Sequence, residues 1–171
     1  MRALRLLVLL GLAACTEAKA GHAGARDLPD ASNTPAAHPF SGAWAACEGA
    51  TSAAECSRYL LLQRGDRICG TWSYSASGQA YDGRVVARAT SSTEAQRTHV
   101  CGRPGSETST ECEDGWQRVD KPLRLCGGHL SDLAGVGGAC FADYQPVPTH
   151  EHEREALLQQ PWVQDCLSRD P

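Results

Sequence analysis

The stretch Arg67-Ile68-Cys69-Gly70-Thr71-Trp72-Ser73-Tyr74 decides the fold class. Ile68, Gly70, Trp72 and Tyr74 alternate with Cys69, Thr71 and Ser73, which is the period-2 pattern of a half-buried strand. On its N-terminal side, residues 59–63 form a short apolar run. Arg64-Gly65-Asp66 punctuates that run as a turn. On its C-terminal side, Ser75-Ala76-Ser77-Gly78 is a second turn. Beyond it Tyr81, Gly83, Val85 and Ala87 share one strand face, opposite Asp82 and Arg84. Residues 98–101, 123–130 and 141–144 supply three further strands.

The last part of the chain changes character. Thr149 is a fair N-cap, and Glu151, Glu153 and Glu155 suit the positive end of a helix. Leu158, Trp162 and Cys166 fall at four-residue spacing. Pro161 interrupts them, so two short helices or a kink are expected, with Trp162 packed on the sheet and Cys166 pinning the segment. The expected fold is mainly β: a small antiparallel meander, barrel or sandwich, with a short C-terminal helical segment and disulfide staples.

The chain has nine cysteines. An odd number in an exported protein points to one cysteine with a separate role. Cys15 is the outlier, because it follows an apolar run at the N-terminus. The other eight are Cys47, Cys56, Cys69, Cys101, Cys112, Cys126, Cys140 and Cys166, enough for four disulfides in an oxidising compartment. Eight cysteines allow about a hundred pairings, and sequence alone does not choose among them. Three neighbouring pairs enclose loop-like segments: Cys47 with Cys56, Cys101 with Cys112, and Cys126 with Cys140. Cys69 and Cys166 are then left for each other. None of the eight lies in the close pairs that structural zinc sites use, so no metal is expected.

Arg2 and Arg5 make a positive opening, residues 6–12 an apolar run broken only by Gly11, and Leu12-Ala13-Ala14-Cys15 follows. The apolar run is far shorter than the ~20 residues that span a bilayer. Together these features resemble the signal peptide and lipobox of bacterial lipoproteins. That resemblance implies cleavage before Cys15, diacylglycerol on its thiol and a further acyl chain such as palmitate on the new N-terminus. Residues 1–14 are then the signal peptide. In the enterobacterial sorting rule an aspartate after the cysteine retains the protein at the inner membrane, so Thr16 points to the outer membrane. The implied membrane contact is the lipid anchor.

Residues 16–39 contain Leu28 as their only large aliphatic side chain before His38. Such a stretch buries too little to offset its ordering entropy, so residues 15–39 read as the lipidated cysteine and a flexible tether. Residues 40–171 form one domain. Its Ile, Leu, Val, Phe, Trp and Tyr number 28, a thin supply for a core that disulfides would supplement. The whole chain carries 16 basic and 20 acidic residues, a net charge of −4. Removing Arg2 and Arg5 leaves 14 basic residues and a net charge of −6. This acidity argues against nucleic acid as a partner.

His150-Glu151-His152-Glu153 is the most metal-like string, but residues two apart on a helix do not share a face. Arg64-Gly65-Asp66 is a charged hairpin turn. Ser106 lacks the setting of a nucleophile elbow, and His99 and Asp132 are no more than potential partners for it. Gly42-Ala43-Trp44 followed by a meander resembles the G-x-W opening of lipocalins and related calycins, which implies a ligand-holding barrel. Trp116, in Asp114-Gly115-Trp116, is either an exposed binding anchor or the cover of a disulfide.

No catalytic motif is present, so a non-enzymatic role without a cofactor is expected. The first reading is a binding or inhibitor module of the cell envelope, with Trp116 as its anchor and an envelope protein as its partner. The general make-up is similar to small disulfide-rich lipoproteins that inhibit lysozyme. The alternative is a small calycin-like barrel holding an apolar ligand among Trp72, Tyr74 and Tyr81. A small hydrolase or a purely structural envelope protein are the remaining readings.

Overall fold

A computed structural model describes residues 38–48, 55–105, 107–133, 140–141 and 144–169. The expected signal peptide, Cys15, most of the tether and Ser106 lie outside the described residues. Eight strands and two helices follow one another as β1 (Gly42–Glu48), β2 (Glu55–Arg64), β3 (Arg67–Ala76), β4 (Gln79–Ala89), β5 (Glu94–Gly102), β6 (Gln117–Cys126), β7 (His129–Ser131), β8 (Gln145–Val147), α1 (Glu151–Leu158) and α2 (Pro161–Ser168). All neighbouring strands pair antiparallel in the order β7-β6-β5-β4-β3-β2-β1-β8. A single bridge between Leu130 and Tyr144 brings the two ends of the sheet together. The meander is therefore a nearly closed barrel, not a sandwich.

The alternation around Trp72 places side chains as the sequence predicts. Ile68 and Trp72 of β3 face inward, with Tyr59 and Leu61 of β2 and Val85 and Ala87 of β4. Phe40 is fully buried at one end of this interior. Its carbonyl accepts from Trp44 Nε1 at 3.1 Å, and its amide donates to Gln63 Oε1 at 3.1 Å. The apolar run Tyr59-Leu60-Leu61-Leu62 is continuous because β2 is buried on both faces. Leu60 and Leu62 point outward, where they meet Leu157 of α1 and Val163, Cys166 and Leu167 of α2. The helices thus form a second, smaller apolar layer on the outside of the barrel.

Four disulfides staple the fold, Cys47–Cys56, Cys69–Cys166, Cys101–Cys112 and Cys126–Cys140, of which the second joins the two layers. The first links β1 to β2 across a Cα separation of 4.1 Å. The second fastens α2 to β3 across 6.2 Å.

Several expectations need correction. Eight strands replace the six expected. Residues 42–48 form β1, which the sequence reading missed. The single strand expected at residues 123–130 is a hairpin, β6 and β7, turned at Gly127 (φ 59°) and Gly128 (φ 86°). The strand expected at residues 141–144 is replaced by β8, which begins at Gln145, and Phe141 is exposed. Thr149 is not the helix cap. His150 holds that position without a side-chain cap bond, and Thr149 Oγ1 instead accepts from the Ala43 amide at 3.1 Å. Pro161 does separate two helices, as the first residue of α2. There its missing N–H costs nothing.

Candidate functional site: the aromatic mouth of the barrel

The interior is filled at the Phe40 end and open toward the other, where β1 and β2 carry Cys47 and Cys56. A cavity of about 290 Å³ lies there, lined among others by Ser57, Tyr59, Trp72, Tyr74, Glu107 and Tyr144. Strand period places these residues. Ser57 and Tyr59 are two apart on β2, and Trp72 and Tyr74 are two apart on β3, so each pair shares the inner face. Ser57 is opposite Tyr74, and Tyr59 opposite Trp72, in the β2–β3 register. Trp72 has room for its ring because Gly83 and Gly102 face it. A Cβ built on Gly83 would stand 2.6 Å from Trp72 Cζ2.

Behind the aromatic wall lies a buried polar cluster. Arg97 of β5 is 2% exposed and reaches across the interior. Its Nη1 donates to Tyr59 Oη at 2.8 Å and to Glu107 Oε2 at 2.9 Å, and its Nη2 donates to the Asp132 carbonyl at 3.0 Å. Asp132 Oδ2 in turn accepts from Tyr59 Oη at 2.8 Å and from Tyr144 Oη at 3.1 Å. The Arg97 guanidinium and the Asp132 carboxylate approach within 3.7 Å. The two phenols stand with ring centroids 5.1 Å apart and tilted by 60°. Trp72 Nε1, Arg97 Nε and Ser131 Oγ are buried without a hydrogen-bond partner among the described residues.

Electrostatics follows from this packing. Burial pushes the Tyr59 phenol well above its ordinary value, and the Asp132 charge adds to the effect. Tyr144 is raised for the same two reasons. Burial disfavours the Arg97 charge, but Tyr59, Glu107 and Asp132 together outweigh that penalty and hold the guanidinium protonated. The phenols therefore remain neutral donors. They are poor nucleophiles, and Asp132 is occupied as their acceptor.

The expected site residues are distributed between two places. Trp72 and Tyr74 line the cavity. Tyr81 does not line it. It stacks beside Tyr74 at 6.3 Å, with the Arg103 guanidinium 5.2 Å from its ring. Trp116 is not an exposed anchor. It is half-buried on the outer layer, 5.8 Å from Trp162, and Arg84 covers the Trp162 ring at 5.2 Å. An open trough of about 670 Å³ runs beside Trp162 on that outer side. It is larger and more open than the interior cavity.

Sequence reasoning missed Arg97, Glu107 and Tyr144, and gave Asp132 no role beyond that of a potential partner for Ser106. His150 and His152 stack at 5.5 Å, yet no group of three metal-ligating side chains converges among the described residues. Asp66 of the Arg64-Gly65-Asp66 turn is paired with Arg88 at 3.0 Å. Comparison of the chain with protein-family models, curated proteins and solved structures returns no match.

Proposed function

We propose that this protein is a small-ligand-binding barrel of the cell envelope, anchored through lipid on Cys15 and held off the membrane by residues 16–39. The observation that carries the reading is the cavity between Tyr59, Trp72, Tyr74 and Tyr144, at the mouth of a barrel whose opposite end is filled by Phe40. Binding sites are commonly found in barrel mouths and are lined by aromatic side chains with a few placed polar groups. The volume of about 290 Å³ equals about ten water volumes of ~30 Å³. It suits a compact molecule and is too small for a long acyl chain. The half-buried state of Trp116 favours this reading over a protein-docking module built on that residue.

One measurement tests the whole reading: the intact native mass spectrum of the full chain, purified in detergent from its own envelope. The expected mass is that of a chain beginning at an acylated Cys15, eight hydrogens below the reduced form. It also includes a small ligand that denaturation releases. A native mass equal to the denatured one would remove the ligand, and an unprocessed N-terminus would remove the anchor.

A further inference from the structure

We infer that the ligand is a small organic cation bearing an alkylated ammonium group, held in the mouth cavity by aromatic faces and carboxylates. This rests on the reading of that cavity as a ligand site. Four rings converge on the space, from Tyr59, Trp72, Tyr74 and Tyr144. Their hydroxyls are already committed: Tyr59 and Tyr144 donate to Asp132, and Tyr74 donates to Glu55 Oε2 at 3.2 Å. What remains on the lining is ring surface together with Ser57, Ser73 and the Trp72 indole N–H, and the negative face of an aromatic ring attracts a cation.

The charges around the space agree in sign. Glu107 lines the cavity, Asp132 lies behind its wall, and Glu48 and Glu55 act on Tyr74 at the rim. The cations nearby are fewer and engaged. Arg97 is divided among Tyr59, Glu107 and the Asp132 carbonyl. Lys121 sits at the surface 3.7 Å from Glu107, and Arg58, which also lines the cavity, is paired with Glu153 at 2.8 Å. Four carboxylates thus stand against three cations at the mouth, each cation held in an ion pair. The Tyr74 phenol registers this field, being raised by desolvation and by Glu55 and Glu48. An anionic ligand would meet the carboxylates first. A neutral one would leave the ring quadrupoles unused.

Titration calorimetry on the full-length protein in detergent, with choline and its uncharged isostere 3,3-dimethylbutan-1-ol, tests the inference. Choline should bind about tenfold or more tightly than the isostere, because only the cation engages the ring faces and carboxylates. Tyr74→Leu, at a half-exposed position, should weaken choline about tenfold while leaving the fold intact by circular dichroism. Glu107→Gln should weaken choline more than the isostere. Equal affinity for the two probes would overturn the cation and leave the cavity as a ligand site. Unchanged choline binding in a folded Tyr74→Leu would also overturn the inference. If neither probe binds, the cation again falls, and the native mass spectrum decides separately whether the cavity holds anything.

Discussion

Arg97 is the residue on which the interior turns. A buried charge persists only where partners compensate its lost hydration, and Tyr59, Glu107 and Asp132 do so here. Removing one partner leaves the others stranded. Asp132→Ala should lower the free energy of unfolding by about 3–5 kcal/mol in urea denaturation, the range for breaking a buried ion pair. A loss below about 1 kcal/mol would mean that the cluster contributes little. The tyrosines carry a pH prediction. Their raised folded values mean that the neutral phenol is favoured in the folded state. The associated stability is complete below the unfolded value of about 10 and is lost as pH rises through the raised values. Of the four tyrosines, Tyr59 and Tyr144 should ionise only with alkaline unfolding when absorbance near 295 nm is followed. Normal titration of all four would refute the packing described. Arg97 was legible only in part. It is in phase with the inward-facing Ala95, but a bulge between Arg97 and His99 shifts the register and brings Val100 inward. An isolated arginine on a strand reads as surface unless its partners, distant in sequence, are known.

At the level of elements, legibility tracked how each strand is buried. β3 and β4 alternate cleanly, and both were found. β1 has Ala43 and Trp44 buried on opposite faces, one toward the helices and one toward the interior. Its remaining small and polar residues give no period. β8 is three residues long and contains Pro146, whose missing N–H is tolerated because this strand pairs on one side only with β1. The helices are short and weakly amphipathic, so they depend on attachment. Leu157, Val163 and Leu167 supply apolar contact, and Cys69–Cys166 fixes α2 to the barrel across a separation of 97 residues. Closing a loop of that length stabilises a fold by about 4–5 kcal/mol in the chain-entropy treatment. Replacing both cysteines with alanine should lower stability by about that amount. It should also let α1 and α2 exchange amide hydrogens far faster than β2–β4. Uniform exchange across the domain would show that the helices hold without the bridge.

For the whole molecule, the fold class was readable because local period, turn residues and cysteine number all pointed to a stapled meander. Barrel and sandwich both fitted that pattern, and the choice depends on the Leu130–Tyr144 bridge between residues far from any turn. The candidate site was half readable. Trp72 and Tyr74 follow from strand phase, whereas Glu107 arrives from a polar loop and Tyr144 from the closing edge. Trp116 left two readings open, exposed anchor or disulfide cover, and its neighbour Trp162 comes from a helix distant in sequence. The disulfide connectivity has a further consequence, in time rather than in space. Three bridges join cysteines that follow one another directly, but Cys69 must wait for Cys166, 97 residues later. A chain emerging from its N-terminus presents Cys101 to Cys69 long before the proper partner appears. Oxidation in strict order of emergence would join Cys69 to Cys101, and reaching the native set would then require thiol–disulfide exchange that frees Cys69 and lets Cys101 find Cys112.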